Sequence, residues 1–368
     1  MEYSVDQSKE NRKYVLDVCS LKKLKDNYQT NIFKEVCSNV FSLSYSNKNI
    51  GLKENLGNII EYIKLVRLIV RNKYDIIHSH EIFASFNSRL AFLICKMLFL
   101  KKPAKIFITY HSPFNNLHPI IHFANRVLSL FTDKIICVSK SVMNYALQYE
   151  KISADKLLLI YNGLNSSEFY QNKEMGERQR KMLGYKENDI IIGNIGVYAE
   201  RKGQIYLVKA FNELLRQNNK LKLVLVGTKR DYEIDTFNEM QSFIRKNNLL
   251  DYVKFLEPVE EVQLYYNMFD LFVMCSVSEG FGLVAYEAML TEKVCVFSDL
   301  ETFKEHIQNN VNGFIYENRN VDSMVKVINH VLENFSTLDL VRKNGRDYVV
   351  TNLSENEMMS KYINLYME

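Results

Sequence analysis

The chain has 368 residues, which at about 150 residues per domain is room for two domains that each bury a core. Its 47 Lys+Arg against 43 Asp+Glu leave a formal charge of +4, which excludes a wholly basic nucleic-acid binder. Hydrophobic residues at 47% with charged residues at 24% exclude disorder and collagen-like repeats, and 13 Gly with 4 Pro leave little room for flexible linkers.

In chain order, the opening MEYSVDQSKENRK is polar and reads as neither a signal peptide nor a membrane anchor. Short runs rich in β-branched and aromatic residues follow, separated by longer segments of helical spacing, the pattern of a parallel sheet with crossover helices. Strands are predicted at 14–21, 39–46, 74–80, 104–111, 134–139 and 157–162. A polar stretch near 165–187 precedes a second series at 190–196, 222–227, 253–258, 271–276, 293–298 and 313–317. Two such series predict an α/β protein of two Rossmann-like domains.

Among the predicted helices, residues 55–73 have the clearest amphipathic spacing, with Lys64, Arg67, Arg71 and Lys73 on the charged face. That face reads either as solvated surface or as a contact for a membrane surface or an anionic substrate. The most apolar stretch, residues 90–100, is eleven long and contains Lys96, well short of the roughly 20 residues that span a bilayer. Six cysteines lie singly at 19, 37, 95, 137, 275 and 295 with no CxxC pair, so a reduced, cytosolic chain is expected. Charge is uneven: residues 1–165 hold 23 Lys+Arg against 13 Asp+Glu, a surplus of ten, whereas residues 166–368 hold 24 against 30.

The segment richest in chemistry is CSVSEGFGLVAYEAM (275–289), which follows a predicted strand and leads into a helix whose first turn is expected at Gly282, Leu283 and Val284. Gly280 and Gly282 let the backbone approach a ligand, and the amides of a helix start form a site for phosphate. Glu279 in the loop is placed to accept bonds from sugar hydroxyls, and Glu287 further along the helix to reach a ribose. Upstream, GNIGVYAERKGQ (193–204) offers Lys202 as a fixed cation opposite a diphosphate leaving group. The GxGxxG spacing is absent there, which disfavours a dehydrogenase.

His78 and His80 sit two apart at a strand end and face one side. With Glu81 they suggest a metal site, but the sequence places no third ligand, so a structural or cleft-lining role is preferred. His118 and His122 fall in a helix-like segment and read as surface or acceptor-side residues.

These motifs resemble glycosyltransferase family 4, the retaining GT-B enzymes of glycosyl transferases group 1. The matching landmarks are the pair Lys202-Gly203, LVLVG (223–227), VKFLEP (253–258), SEGFGLVAYEAM and VNGFIYE (311–317). In the first half, YDIIHSH, ITYHS, DKIICVSKS (133–141) and LLLIYNGLN (157–165) resemble acceptor-domain landmarks in the same order. The resemblance implies a GT-B fold, two Rossmann-like domains facing a central cleft. An acceptor-binding domain would occupy 1–168 and a nucleotide-sugar domain 169–352, with a C-terminal helix at 353–368 packing back on the first.

Carried over, the resemblance implies a catalytic set of His111, Glu279 and Lys202. Glu279 would bind donor-sugar hydroxyls, Glu287 the ribose, and Leu256 with Glu257 the base. Backbone groups of Gly280, Phe281, Gly282, Leu283 and Val284, with Gly196, Arg201, Lys202 and Gly227, would complete the donor site. No Asp-x-Asp motif occurs, in keeping with a metal-independent reaction that needs no cofactor. The implied activity is retaining transfer of a hexose-type sugar from a nucleoside-diphosphate donor, UDP-linked by expectation. The acceptor would be a hydroxyl of a saccharide or lipid-linked acceptor in bacterial surface polysaccharide synthesis. The expected place is the cytoplasm, peripheral to the inner membrane face, with an anionic membrane surface as a further partner and no nucleic acid.

Two departures qualify this. Where family members commonly carry an arginine before the Lys-Gly pair, this chain has Val197, and Arg201 is the candidate substitute. Family members also open with a strand, a Gly-rich loop and a helix, which residues 1–13 are too few to hold. A truncated start or a lost element would explain that. The alternative reading is therefore a catalytically weak nucleotide-sugar-binding subunit acting with a partner chain; a nucleotide-sugar epimerase of the same fold is disfavoured by the Glu279/Glu287 block.

Overall fold

The computed structural model describes residues 15–24, 28–45, 51–98, 105–113 and 118–368. The expectation of a missing first strand-helix unit concerns residues 1–13, which lie outside them. Among the described residues twelve strands form, each within or overlapping a predicted run: β1 (Asp17–Ser20), β2 (Asn39–Ser42), β3 (Ile76–His80), β4 (Lys105–Tyr110), β5 (Lys134–Cys137), β6 (Leu157–Leu159), β7 (Ile190–Ile195), β8 (Leu221–Val226), β9 (Val253–Leu256), β10 (Leu271–Met274), β11 (Val294–Ser298) and β12 (Phe314–Tyr316). The six cysteines form no disulfide.

The strands make a parallel pair β1-β2, a four-stranded sheet ordered β3-β4-β5-β6 and a six-stranded sheet ordered β12-β11-β10-β7-β8-β9. Every pairing in the six-stranded sheet is parallel. Parallel strands need crossovers, and the amphipathic helices supply them. Helix Gln204–Leu215 buries Leu207, Val208, Phe211 and Leu214, and helix Ile234–Lys246 buries Phe237, Met240 and Ile244, in one core with Ile192, Leu223 and Leu225 of the sheet. A smaller core joins Leu65 and Ile69 of helix Gly51–Asn72 to Ala91 and Cys95 of helix Ile82–Met97, with Leu43 and Tyr45.

The described chain divides into two compact units, one holding residues up to Thr109 with His118–Ile135, the other Tyr110–Leu117 with Ile136–Glu368. In the second, the C-terminal helix Glu355–Met367 is tied to the segment after β6: Leu164 N donates to Leu353 O at 2.8 Å and Glu355 N to Leu164 O at 3.1 Å. The polar stretch expected near 165–187 contains a helix, Lys173–Met182, capped by Asn172, whose side chain accepts from Met175 N. Its buried face consists of Gly176 and Gln179, so no apolar stripe marks it in sequence. Among the described residues no helix is long and apolar enough to cross a membrane.

In the six-stranded sheet the chain runs from β7 outward through β8 to β9, then returns to the other side of β7 and runs through β10 and β11 to β12. The order reverses between β7 and β10, and in open parallel sheets ligands settle beyond the carboxyl ends of the strands at such a switch point. The loops that leave β7 and β10 hold residues 196–203 and 275–282.

Candidate functional site

The loop after β7 is shaped by close backbone approaches. Gly196 N donates to Val226 O at 2.9 Å, and a Cβ on Gly227 would lie 2.0 Å from Gly196 O, so these two strand ends meet too closely for any side chain at 227. Tyr198 turns fully inward, its hydroxyl donating to Leu225 O at 2.9 Å and its ring packing on Phe237 and Phe255. A single 3-10 turn, Glu200–Lys202, ends at Gly203, whose φ of 64° starts helix Gln204–Leu215.

The loop after β10 is laced to this one. Val277 N donates to Arg201 O at 2.8 Å, and a Cβ on Gly203 would lie 2.1 Å from Cys275 O. Lys202 and Glu279, 77 residues apart, meet as an ion pair at 2.5 Å, with side chains 14% and 11% exposed. Ser276 Oγ donates to the same Glu279 oxygen at 3.2 Å. Two residues expected in separate tasks, one on the diphosphate and one on the sugar, therefore stand as one poorly solvated pair, which holds each in a fixed rotamer until a ligand competes for it.

Gly282 differs from expectation: it is not helical but adopts φ 88°, ψ 49° as the residue before helix Leu283–Leu290. With no side chain it provides no cap, and a Cβ would press on the Phe303 ring at 2.7 Å. The first amides of a helix have no intrahelical partner and point along its axis, so Leu283 and Val284 aim N–H groups out of the helix start. The Phe281 ring is buried among Tyr161, Tyr286 and His306 and anchors the loop. His306 is itself buried, Nδ1 3.0 Å from the Tyr348 hydroxyl, and burial pushes its imidazole down to about 4, so it is a neutral ring of this aromatic wall.

Gly280 lies against the backbone of His111, whose carbonyl would be 1.8 Å from a Cβ there, and Thr302 Oγ1 donates to Gly280 O at 3.0 Å. The residue after β4 and the glycine loop are thus brought together. Burial lowers the His111 pKa from its ordinary value, favouring the neutral imidazole.

Glu287, on helix Leu283–Leu290, accepts from the Tyr266 hydroxyl at 2.5 Å. Enclosure raises its carboxyl above the ordinary carboxylate range, with the Tyr266 bond opposing the rise, although one edge of the residue stays solvent-accessible. Tyr266 is fully buried against Phe169 and Phe272.

The residues expected at the base are partly committed. Leu256 O accepts from Gly227 N at 2.9 Å and Glu257 O from the Tyr265 hydroxyl at 2.9 Å. Arg201 is exposed, and its carbonyl accepts from Val277 N; Val197 O accepts from Gln204 Nε2 at 2.9 Å. His78 and His80 do share a face, rings stacked 4.5 Å apart, and His78 Nε2 lies 2.7 Å from Thr109 Oγ1. Among the described residues no three His, Cys, Asp or Glu side chains cluster to hold a metal. His118 caps helix Pro119–Ser129. Sequence reasoning missed Tyr266 and Thr302, which no local motif marks because their partners lie 21 and 22 residues away, and it passed over Ser276, which lies within the CSVSEGFGLVAYEAM block three residues from its partner Glu279.

The family model "Glycosyl transferases group 1" matches residues 176–348, and "Glycosyltransferase Family 4" matches residues 32–168. An uncharacterized glycosyltransferase of Methanocaldococcus jannaschii is 27% identical over 320 residues, 83% of this chain and 78% of that one. The UDP-Gal:alpha-D-GlcNAc-diphosphoundecaprenol alpha-1,3-galactosyltransferase of Escherichia coli is 22% identical over 329 residues, 87% of this chain and 81% of that one. The crystal structure of HepE of Anabaena in complex with UDP and glucose superposes with a TM-score of 0.82 at 20% identity, covering 95% of this chain and 90% of that one. That likeness, with the two parallel-sheet sets, gives the GT-B fold.

Proposed function

The chain belongs to the glycosyltransferases of group 1 and family 4, and we propose that it moves a sugar from a UDP-sugar to a hydroxyl of a lipid-linked saccharide with retention at the anomeric carbon. The observation that carries this is the Lys202–Glu279 pair beside a helix start that follows the left-handed Gly282, at the switch point of a parallel sheet. Entry of a diphosphate gives Lys202 a second anionic partner, and the Leu283 and Val284 amides take the phosphate oxygens. Glu279, freed in part, accepts bonds from the sugar hydroxyls, and Glu287 accepts from the ribose.

In the transfer the bond from the anomeric carbon to the diphosphate oxygen breaks and a bond to the acceptor oxygen forms. The acceptor proton leaves with the released nucleoside diphosphate or to solvent. Charge grows on the departing phosphate, and Lys202 with the helix amides stabilises it there, so the reaction needs no metal ion. His111, kept neutral by burial, serves as a hydrogen-bonding wall near the sugar.

The donor and acceptor classes draw support from the E. coli relative, whose name gives UDP-Gal and a diphosphoundecaprenol-linked saccharide. The ten-charge surplus of residues 1–165 suits such an anionic acceptor, and a cytoplasmic enzyme peripheral to the membrane would meet it in bacterial surface polysaccharide synthesis. Incubating the protein with UDP-sugars and undecaprenyl-diphosphate-linked saccharides, with product configuration read by NMR, tests the reading. Transfer with retention is expected, and Glu279→Ala should abolish it while leaving the circular dichroism unchanged. Inversion, or full turnover in the variant, overturns it. Val197 and the exposed Arg201 favour the second reading, a weak nucleotide-sugar-binding subunit, whose signature would be tight UDP binding with no turnover.

A further inference from the structure

Residues 275–282 follow β10 as a loop whose carbonyls are taken by side chains from beyond the two neighbouring strands. Ser298 Oγ, at the end of β11, donates to Ser276 O at 2.7 Å, and Asn318 Nδ2, two residues after β12, donates to Val277 O at 3.2 Å. Thr302 Oγ1 donates to Gly280 O at 3.0 Å. Among the described residues no peptide bond is cis, and in a trans peptide the carbonyl of one residue and the N–H of the next point in opposite directions. Each of these bonds therefore also sets the aim of an N–H. For the first two the result is a further bond, since Val277 N and Ser278 N both turn to Arg201 O, at 2.8 and 3.3 Å. The third differs: Phe281 N–H, on the far side of the Gly280 peptide, meets no acceptor among the described residues, although Phe281 is only 3% exposed. An unpaired donor costs stability and native proteins keep few of them, so a peptide held in place with its N–H unspent calls for a role.

The hydroxyl that holds this peptide stands on a braced support. Thr302 is fully buried on the short helix Glu301–Lys304, whose other buried residue, Phe303, packs under Gly282. Glu305, the next residue, accepts from Lys140 N and Ser141 N and so ties the short helix to the start of helix Lys140–Gln148. The peptide itself follows a glycine, the residue least able to fix its own backbone. Without the hydroxyl it is free to turn over, which would present a carbonyl where an N–H had been. We propose that Thr302 is a positioning residue for transfer: its hydroxyl holds the Gly280–Phe281 peptide so that the Phe281 N–H, with the Leu283 and Val284 amides, bonds the phosphate on which charge grows as the sugar departs. The inference rests on the reading that the site receives a nucleoside-diphosphate sugar, and it names the side chain that orients one of the donors.

Two substitutions at one position test it: Thr302→Val removes the hydroxyl and keeps the shape, and Thr302→Ser keeps the hydroxyl. In Thr302→Val, kcat for transfer should fall about tenfold or more while the KM for the UDP-sugar changes by less than about threefold, because the bond strengthens as charge develops. UDP, which carries the charge of the leaving group, should bind this variant about tenfold more weakly in calorimetric titration. Thr302→Ser should stay within about threefold of wild type in all three quantities. The control for losing a buried hydroxyl is Thr291→Val, since Thr291 is fully buried and donates to Ala288 O at 2.9 Å at the far end of helix Leu283–Leu290. That variant should lose as much melting temperature as Thr302→Val and keep kcat and UDP affinity. Unchanged kcat and UDP affinity in Thr302→Val, an equal loss in Thr302→Ser, or the same loss in Thr291→Val overturns the proposal. Wild-type protein that binds UDP and transfers nothing sinks the transferase reading alone, because the UDP affinities of the variants still decide the role of Thr302. Wild-type protein that does not bind UDP overturns both.

Discussion

Glu287 shows how one carboxyl is prepared by its surroundings. Its enclosure favours the protonated form, and the Tyr266 hydroxyl, donating at 2.5 Å, pulls the other way by favouring the carboxylate. A carboxyl whose folded pKa stands above its unfolded value binds its proton more tightly in the native state. The stability it contributes is present at low pH and is lost as pH rises from its ordinary value of 4.5 through the raised one. Glu287→Gln cannot ionise and still accepts from Tyr266, so its stability relative to wild type should improve as pH rises from about 4 to 7. Urea melts across that range check this, and a constant difference between the two proteins would show that Glu287 does not titrate there. The same change should weaken UDP binding by about tenfold, since a charged acceptor is replaced by a neutral one. Lys202 and Glu279 illustrate the complementary case, in which a ligand must compete with an existing pair rather than fill an empty place.

At the scale of elements, the site is made by loops that approach more closely than side chains permit. Gly280 is the clearest position, because a Cβ there would lie 1.8 Å from His111 O and 2.7 Å from its carbonyl carbon, both backbone. Gly184 is the natural control: its φ of 78° strains any replacement, yet nothing lies within 4 Å of the added carbon. Gly184→Ala should cost about 1–2 kcal/mol of stability and leave transfer intact. Gly280→Ala should displace the loop that carries Glu279 and lose transfer by a hundredfold or more, about 3 kcal/mol in the barrier. Steady-state kinetics beside thermal melts separate the two, and unchanged kinetics in Gly280→Ala would mean the loop tolerates a shift.

The same elements mark what a sequence can disclose. Runs such as IIIGNI and LKLVLV are buried on both faces and read as strands without any three-dimensional information, and the block SEGFGLVAYEAM carries its glycines and glutamates within one loop and helix. Contacts that close over long separations leave no such trace. Glu305 accepts from Lys140 N and Ser141 N at 2.9 Å each, 165 and 164 residues away, and so caps helix Lys140–Gln148. Nothing local to Glu305 signals this. Helix Lys173–Met182 escaped for another reason: a helix that buries only glycine and glutamine has no apolar period to detect.

At the scale of the whole molecule, a half carrying 30 acidic against 24 basic residues is asked to bind a diphosphate, while the half with the basic surplus is asked to meet a membrane. These two demands respond to salt in opposite ways. Beyond about 8–10 Å, charges are screened at physiological ionic strength, so the acidic background around the donor site weakens as salt rises while Lys202 and the Leu283 and Val284 amides keep their short contacts. The basic, exposed surface gains its attraction from many charges at longer range and loses it on the same addition. Raising salt from about 50 to 300 mM should therefore change UDP affinity by less than about threefold while vesicle binding falls by tenfold or more. Calorimetric titration with UDP and cosedimentation on the same preparation measure both. UDP at a hundred times its dissociation constant should also stabilise the fold by about 2.7 kcal/mol. EDTA should leave that stabilisation in place if, as proposed, the positive groups that receive the diphosphate belong to the chain itself. Loss of the UDP effect on chelation would instead require a metal between the phosphates and the protein, and would remove Lys202 from its assigned task.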